Sequence, residues 1–103
     1  MQDLHTTAKD TLFRAILSLN TIEECYQFFE DVCTIKELED MAQRMETAIL
    51  LHQGESYLSI SKKTNVSTAT ISRVNRCLHY GAGGYQKALE NLRAAGEKEE
   101  ENS

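Results

Sequence analysis

The chain has 103 residues, with 16 Asp or Glu against 11 Lys or Arg, and a formal net charge of −5. That length fits one small domain, able to fold alone but prone to cover flat apolar helix faces with a second copy. The acidity excludes indiscriminate coating of nucleic acid, and apolar runs of only a few residues exclude a bilayer span.

Three cysteines, Cys25, Cys33 and Cys77, form an odd set whose spacing matches no zinc pattern, and no secretory segment precedes them. They are expected to be reduced thiols of a cytoplasmic protein, mostly buried. His5, His52 and His79 form no ligand pair at helical spacing, so no metal site is expected.

Proline is absent, and glycine falls only at Gly54, in the Gly81–Gly84 run and at Gly96. The pattern predicts an all-α chain of about six helices, broken at the glycines. Thr7 to Leu19 places Leu12, Phe13, Ile16 and Leu17 on one face. Thr21 with Glu24, and Thr34 with Glu37, have the capping-box spacing and predict helix starts near Ile22 and Ile35. The second helix should bury Ile22, Cys25, Tyr26, Phe29 and Val32. The third, to about Gln53 and about 28 Å long, spaces Leu38, Met41, Met45, Ala48, Ile49 and His52 by three or four, with Met41 and Met45 as core or dimer filling. Gly54 is expected to end it as a left-handed cap. Two short helices around Asn65 come next. The Gly81–Gly84 run is a connector, since the strand and Lys-Ser/Thr ending of a nucleotide loop are missing. A last helix from Tyr85 to Ala95 should turn Tyr85, Leu89 and Leu92 inward. Residues 1–95 would form the domain, and 96–103 a disordered acidic tail.

Charge is distributed unevenly. Ser56 to Leu89 spans 34 residues without one Asp or Glu, yet holds Lys62, Lys63, Arg73, Arg76 and Lys87. Within it, Tyr57 to Arg76 fits a helix-turn-helix. Two helices crossing steeply need apolar contacts at positions four, eight, ten, fifteen and eighteen of the motif. They also need a small residue at position five and one tolerant of positive φ at position nine. Counted from Tyr57, the chain offers Ile60, Ser61, Thr64, Asn65, Val66, Ile71 and Val74. Ser67 stands where the second helix needs an N-cap.

That second helix would enter a major groove N-terminus first. Ser67, Thr68, Ala69, Thr70 and Ser72 lie on or near its leading edge. The methyls of Thr68 and Ala69 suit a thymine methyl, and the hydroxyls suit a base edge or a phosphate. Lys62, Lys63, Arg73 and Arg76 suit phosphates. Double-stranded DNA is the expected partner, with no membrane involved.

The passages Leu38 to Arg44, Ile49 to Leu51, Gly54-Glu55 and Ala69 to Arg73 resemble the Trp repressor superfamily. Val32 to Leu38 and Leu78 to Tyr85 resemble its YerC/YecD-like branch. The resemblance covers roughly residues 10–95. It implies an intertwined homodimer of Trp repressor type, with one helix-turn-helix per subunit facing successive major grooves about 34 Å apart. In amino-acid-responsive relatives two arginines sandwich an indole ring. Arg44 and Arg73 match them, and Thr70 matches a pocket threonine. Val74 stands where those relatives have glycine, and Cys77 where they have a serine. The resemblance therefore implies a possible effector pocket at Arg44, Thr70 and Arg73, open to a small-molecule corepressor but not expected to take tryptophan. No cofactor is expected.

The function indicated is a dimeric, sequence-specific DNA-binding transcriptional regulator, a repressor by occlusion. The alternative is a protein-interaction module using the same helix-turn-helix surface. An enzyme with an arginine pocket at Arg14 and Arg44 is a third reading, but no nucleophile–base pair or polarised carboxylate pair is present to serve as catalytic residues.

Overall fold

The structure, a computed structural model, describes residues 4–101, with side chains described as far as residue 96. Among the described residues there are six α-helices and no strand. Two compact units are distinguished, one extending to Leu38 and the other starting at Glu39.

The first unit holds α1 (Thr7–Leu17), α2 (Ile22–Val32) and the start of α3 (Ile35–His52). Thr6 caps α1, its hydroxyl accepting from the Lys9 N–H at 3.1 Å. The helix ends two residues before the expected Leu19. At α2 the Thr21 hydroxyl accepts from Glu24 N–H at 3.0 Å, while the Glu24 carboxylate takes the Asn20 N–H at 2.8 Å, one residue upstream of the usual partner. At α3 the box is fully reciprocal. Thr34 N–H donates to the Glu37 carboxylate at 2.9 Å, and Glu37 N–H donates to the Thr34 hydroxyl at 3.1 Å. Hydrogen bonds to the Thr34 backbone and side chain hold the Glu37 carboxyl below its ordinary pKa.

The helices of this unit form where expected, but their apolar faces are not buried. Neither α1 nor α2 has a buried residue. Ile22, Tyr26 and Val32 are exposed, and Cys25 and Phe29 are only half-buried, which corrects the expected burial of the α2 face. The cysteines need the same correction. Cys25 and Cys33 are half-buried, and Cys77 is exposed on the outer flank of its helix.

In the second unit α3 continues to His52. Ala48 and Thr47 are buried, Met45 and Ile49 are half-buried, and Met41 and His52 are exposed. The Thr47 hydroxyl, which sequence periodicity does not mark, donates to Gln43 O at 2.8 Å, so its burial leaves no unmet polar group. Gly54 has φ +85°. Its N–H reaches Leu51 O at 3.0 Å, and Glu55 N–H reaches Leu50 O at 3.1 Å, the paired bonds of a Schellman cap.

Then come α4 (Tyr57–Thr64), α5 (Thr68–Tyr80) and α6 (Gly84–Glu101). Ile60, Val66 and Ile71 form the buried cluster of this unit, with Leu50 and Leu51 of α3 packed against it. Val74, Leu78 and Leu89 are also buried. Gln86 Nε2 donates to Leu78 O at 3.0 Å and stitches α6 to α5. Leu92, expected inward, is exposed.

The sixth helix continues through Gly96 to Glu101, past the end expected at Ala95, so residues 96–101 are helical rather than an unstructured tail. One glycine costs about 1 kcal/mol relative to alanine, and the Ala, Glu and Lys around it are good helix formers, so Gly96 weakens the helix without ending it. Asn102 and Ser103, the rest of the expected tail, lie outside the described residues.

Asn65 is the turn residue the motif requires. Its φ is +59°, and among the described residues it is the one non-glycine at positive φ. Asn65→Ala should cost about 1–2 kcal/mol, because a β-carbon without a compensating amide is disfavoured there. Asn65→Gly should be close to neutral. Urea melts of the two variants check this; an alanine variant as stable as the parent would contradict the left-handed turn.

Candidate nucleic-acid interface

Helices α4 and α5 pack through Ile60, Val66 and Ile71, and the turn between them is closed by side-chain chemistry. Thr64 is buried. Its hydroxyl donates to Ile60 O at 2.8 Å and accepts from Val66 N–H at 3.1 Å. The hydroxyl is thus satisfied as donor and as acceptor, and the methyl is free to pack, as position eight requires. Ser56 caps α4, accepting from Ser59 N–H at 3.1 Å. Ser67 caps α5, accepting from Thr70 N–H at 3.2 Å.

The burial pattern of α5 separates two faces. Ile71, Val74 and Leu78 point into the core. Ala69, Ser72, Arg73 and Arg76 follow one another at short helical steps, and all are exposed, as is Thr68 on the first turn. The Ser67 hydroxyl also donates to Thr70 Oγ1 at 3.1 Å, and Thr70 is half-buried. These two hydroxyls therefore serve the helix start, and Thr68, Ala69 and Ser72 are left as the exposed short side chains. Tyr80 lies on the same outward face one turn beyond Arg76 and is 86% exposed. Sequence reasoning missed it, although its i+4 spacing from Arg76 was readable.

The five cations of the acid-free stretch do not share one environment. Lys63 is ion-paired with Glu55, just before the stretch, and Lys87 lies 4.0 Å from Glu90, just after it. Among the described residues, Lys62, Arg73 and Arg76 have no acid within ion-pair distance. A surface of free guanidinium and ammonium groups beside short hydroxyl and methyl side chains can bind phosphates and approach base edges.

The possible effector pocket draws on residues of two helices. Arg44 is half-buried on α3 and Arg73 is exposed on α5, with no hydrogen bond joining them or Thr70 to Arg44 among the described residues. Val74 is only 1% exposed. Its branched side chain is part of the packed core, so an indole ring seated at that position would have to displace it. An open cleft of about 260 Å³, lined by His52, Gln86, Leu89, Glu90 and Arg93, lies apart from these residues and was not anticipated. Among the described residues, no group of His, Cys, Asp or Glu could hold a metal ion, and no helix is long and apolar enough to cross a membrane.

Residues 7–93 match the family model described as Trp repressor protein. Over 84 residues the chain is 52% identical to the uncharacterized protein YerC of Bacillus subtilis, covering 82% of this chain and 81% of that relative. A TrpR-like protein from Eubacterium eligens superposes with a TM-score of 0.84 at 54% identity, over 86% of this chain and 92% of the other. A candidate Trp repressor from Staphylococcus aureus gives a TM-score of 0.84 at 44% identity, over 87% and 90%.

Proposed function

The chain belongs to the Trp repressor family, and on that premise we propose that it is a sequence-specific DNA-binding transcriptional regulator, acting in the cytoplasm as a homodimer that represses by occlusion. The observation that carries the reading is the outward face of α5, where Ala69, Ser72, Arg73 and Arg76 are exposed together. Lys62, Ser67, Thr68 and Thr70 flank that face, and Lys63 stands at the end of α4. Thr68, Ala69 and Ser72 would meet base edges, and the cations would meet phosphates.

The dimer is supported by the uncovered first unit. Phe13, Leu17, Ile22 and Ile35 are large apolar side chains, all exposed. Apolar exposure on that scale marks a surface that associates. Two subunits related by a two-fold axis would present their α5 helices to half-sites one helical turn apart. The buried Val74 favours a regulator whose head is held by its own packing, without tryptophan as corepressor. Arg44, Thr70 and Arg73 remain the residues for any other small effector.

Selecting bound duplexes from a random pool, with and without free amino acids, tests the proposal. The expected result is one enriched, two-fold symmetric motif with half-sites about 34 Å apart, unchanged by tryptophan. No enrichment, together with stable capture of one protein partner, would instead assign the helix-turn-helix to protein docking.

A further inference from the structure

We propose that Glu55 competes with DNA phosphate for Lys63, and so limits binding that carries no sequence information; this rests on the duplex-binding reading above. Glu55 is the last acid before the 34-residue acid-free stretch. Its backbone is fixed by the α3 cap, through the bond from its N–H to Leu50 O at 3.1 Å. Its carboxylate makes two contacts across the start of α4. One oxygen takes the Lys63 ammonium, and the other accepts from the Ser59 hydroxyl at 3.4 Å. The Glu55 side chain is 25% exposed and the Lys63 side chain 54% exposed.

Lys63 lies in the last turn of α4, where unpaired carbonyls already favour a cation. An exposed pair of this kind adds little to folding. Its effect on a polyanion is larger in kind. Before Lys63 can meet a phosphate it must leave Glu55, and a bare carboxylate then faces the DNA backbone. Lys62, Arg73 and Arg76 meet no such acid among the described residues. Phosphate contacts set register without reading bases, so the penalty falls equally on every sequence. Glu55 thus lowers the affinity for random duplex that an exposed Lys63 would otherwise add.

Glu55→Gln keeps the side chain's shape and its acceptor oxygen while removing the charge. Binding of the full-length protein is measured on a pool-selected duplex and on a scrambled duplex of equal length, between about 50 and 200 mM salt. The variant should bind the scrambled duplex about threefold more tightly, the scale of one exposed ion pair. Its log–log salt slope should be steeper by up to about 0.9 per bound subunit. The double variant Glu55→Gln/Lys63→Ala should lose that gain, and circular dichroism should show parent-like helicity for both. Unchanged affinity and slope, with the parent still bound to DNA, overturn the competition and leave the regulator standing. Weaker binding by Glu55→Gln overturns it too, since the carboxylate would then be positioning the lysine. A parent that binds neither duplex overturns both readings.

Discussion

Replacing Arg73 and Arg76 together by alanine should weaken duplex binding at least tenfold. Both guanidinium groups stand on the outward face of α5, without an acid partner among the described residues. Every phosphate that the variant no longer neutralises should make the salt dependence shallower by about 0.9 in log–log slope. The deficit should therefore be largest at low salt and narrow as salt rises. Neither side chain belongs to the buried cluster, so the thermal midpoint should change little. A mobility-shift titration across salt reads both the affinity and the slope. An unchanged affinity for the selected operator would mean that another surface touches the DNA. Lys62→Ala should act in the same direction with a smaller effect, as one cation rather than two.

Ile71→Ala should be among the most damaging single truncations in the second unit. Ile71 is fully buried and clusters with Ile60 and Val66, where α4 meets α5. Removing its outer carbons forfeits their transfer free energy and leaves a cavity that two short helices cannot easily close. The expected cost is about 2–5 kcal/mol. Total stabilities are about 5–15 kcal/mol, so a large part of the folding free energy is at stake. Guanidinium melts at fixed protein concentration measure it, because association would otherwise contribute to the apparent stability. Ser72→Ala, one residue along and exposed, should stay within about 0.5 kcal/mol of the parent. Equal destabilisation by the two substitutions would contradict the assigned faces of α5.

The contrast between Ile71 and Ser72 also shows why the reading head was legible from sequence. Its determinants are local. Asn65 tolerates positive φ, Ser67 supplies a cap oxygen, and Ile60, Val66, Ile71 and Val74 fall at spacings that only two crossed helices satisfy together. The capping boxes at Thr21 and Thr34 were legible for the same reason. Residue spacing says which face of a helix is apolar, but not what covers it. Ile22 and Tyr26 lie on a correctly identified stripe, yet are exposed in the single chain. For Cys77 residue type alone argues burial, and its position on the outer flank of α5 overrides that preference. The Glu55–Lys63 pair joins residues eight apart across a helix start, a geometry that no regular period announces. Gly96 has the look of a stop, whereas the strong helix formers around it carry α6 onward.

The buried Thr64 hydroxyl has a mechanical consequence. By bonding to Ile60 on one side and Val66 on the other, it fastens the elbow between the two helices of the reading head. Asn65, next to it, holds the left-handed bend at φ +59°. A head fastened in this way would meet a partner as a single stiff piece. On the proposed function, a mismatch between protein and groove would be absorbed by deforming the DNA or by tilting the whole piece, and flexible base steps would be favoured without being touched.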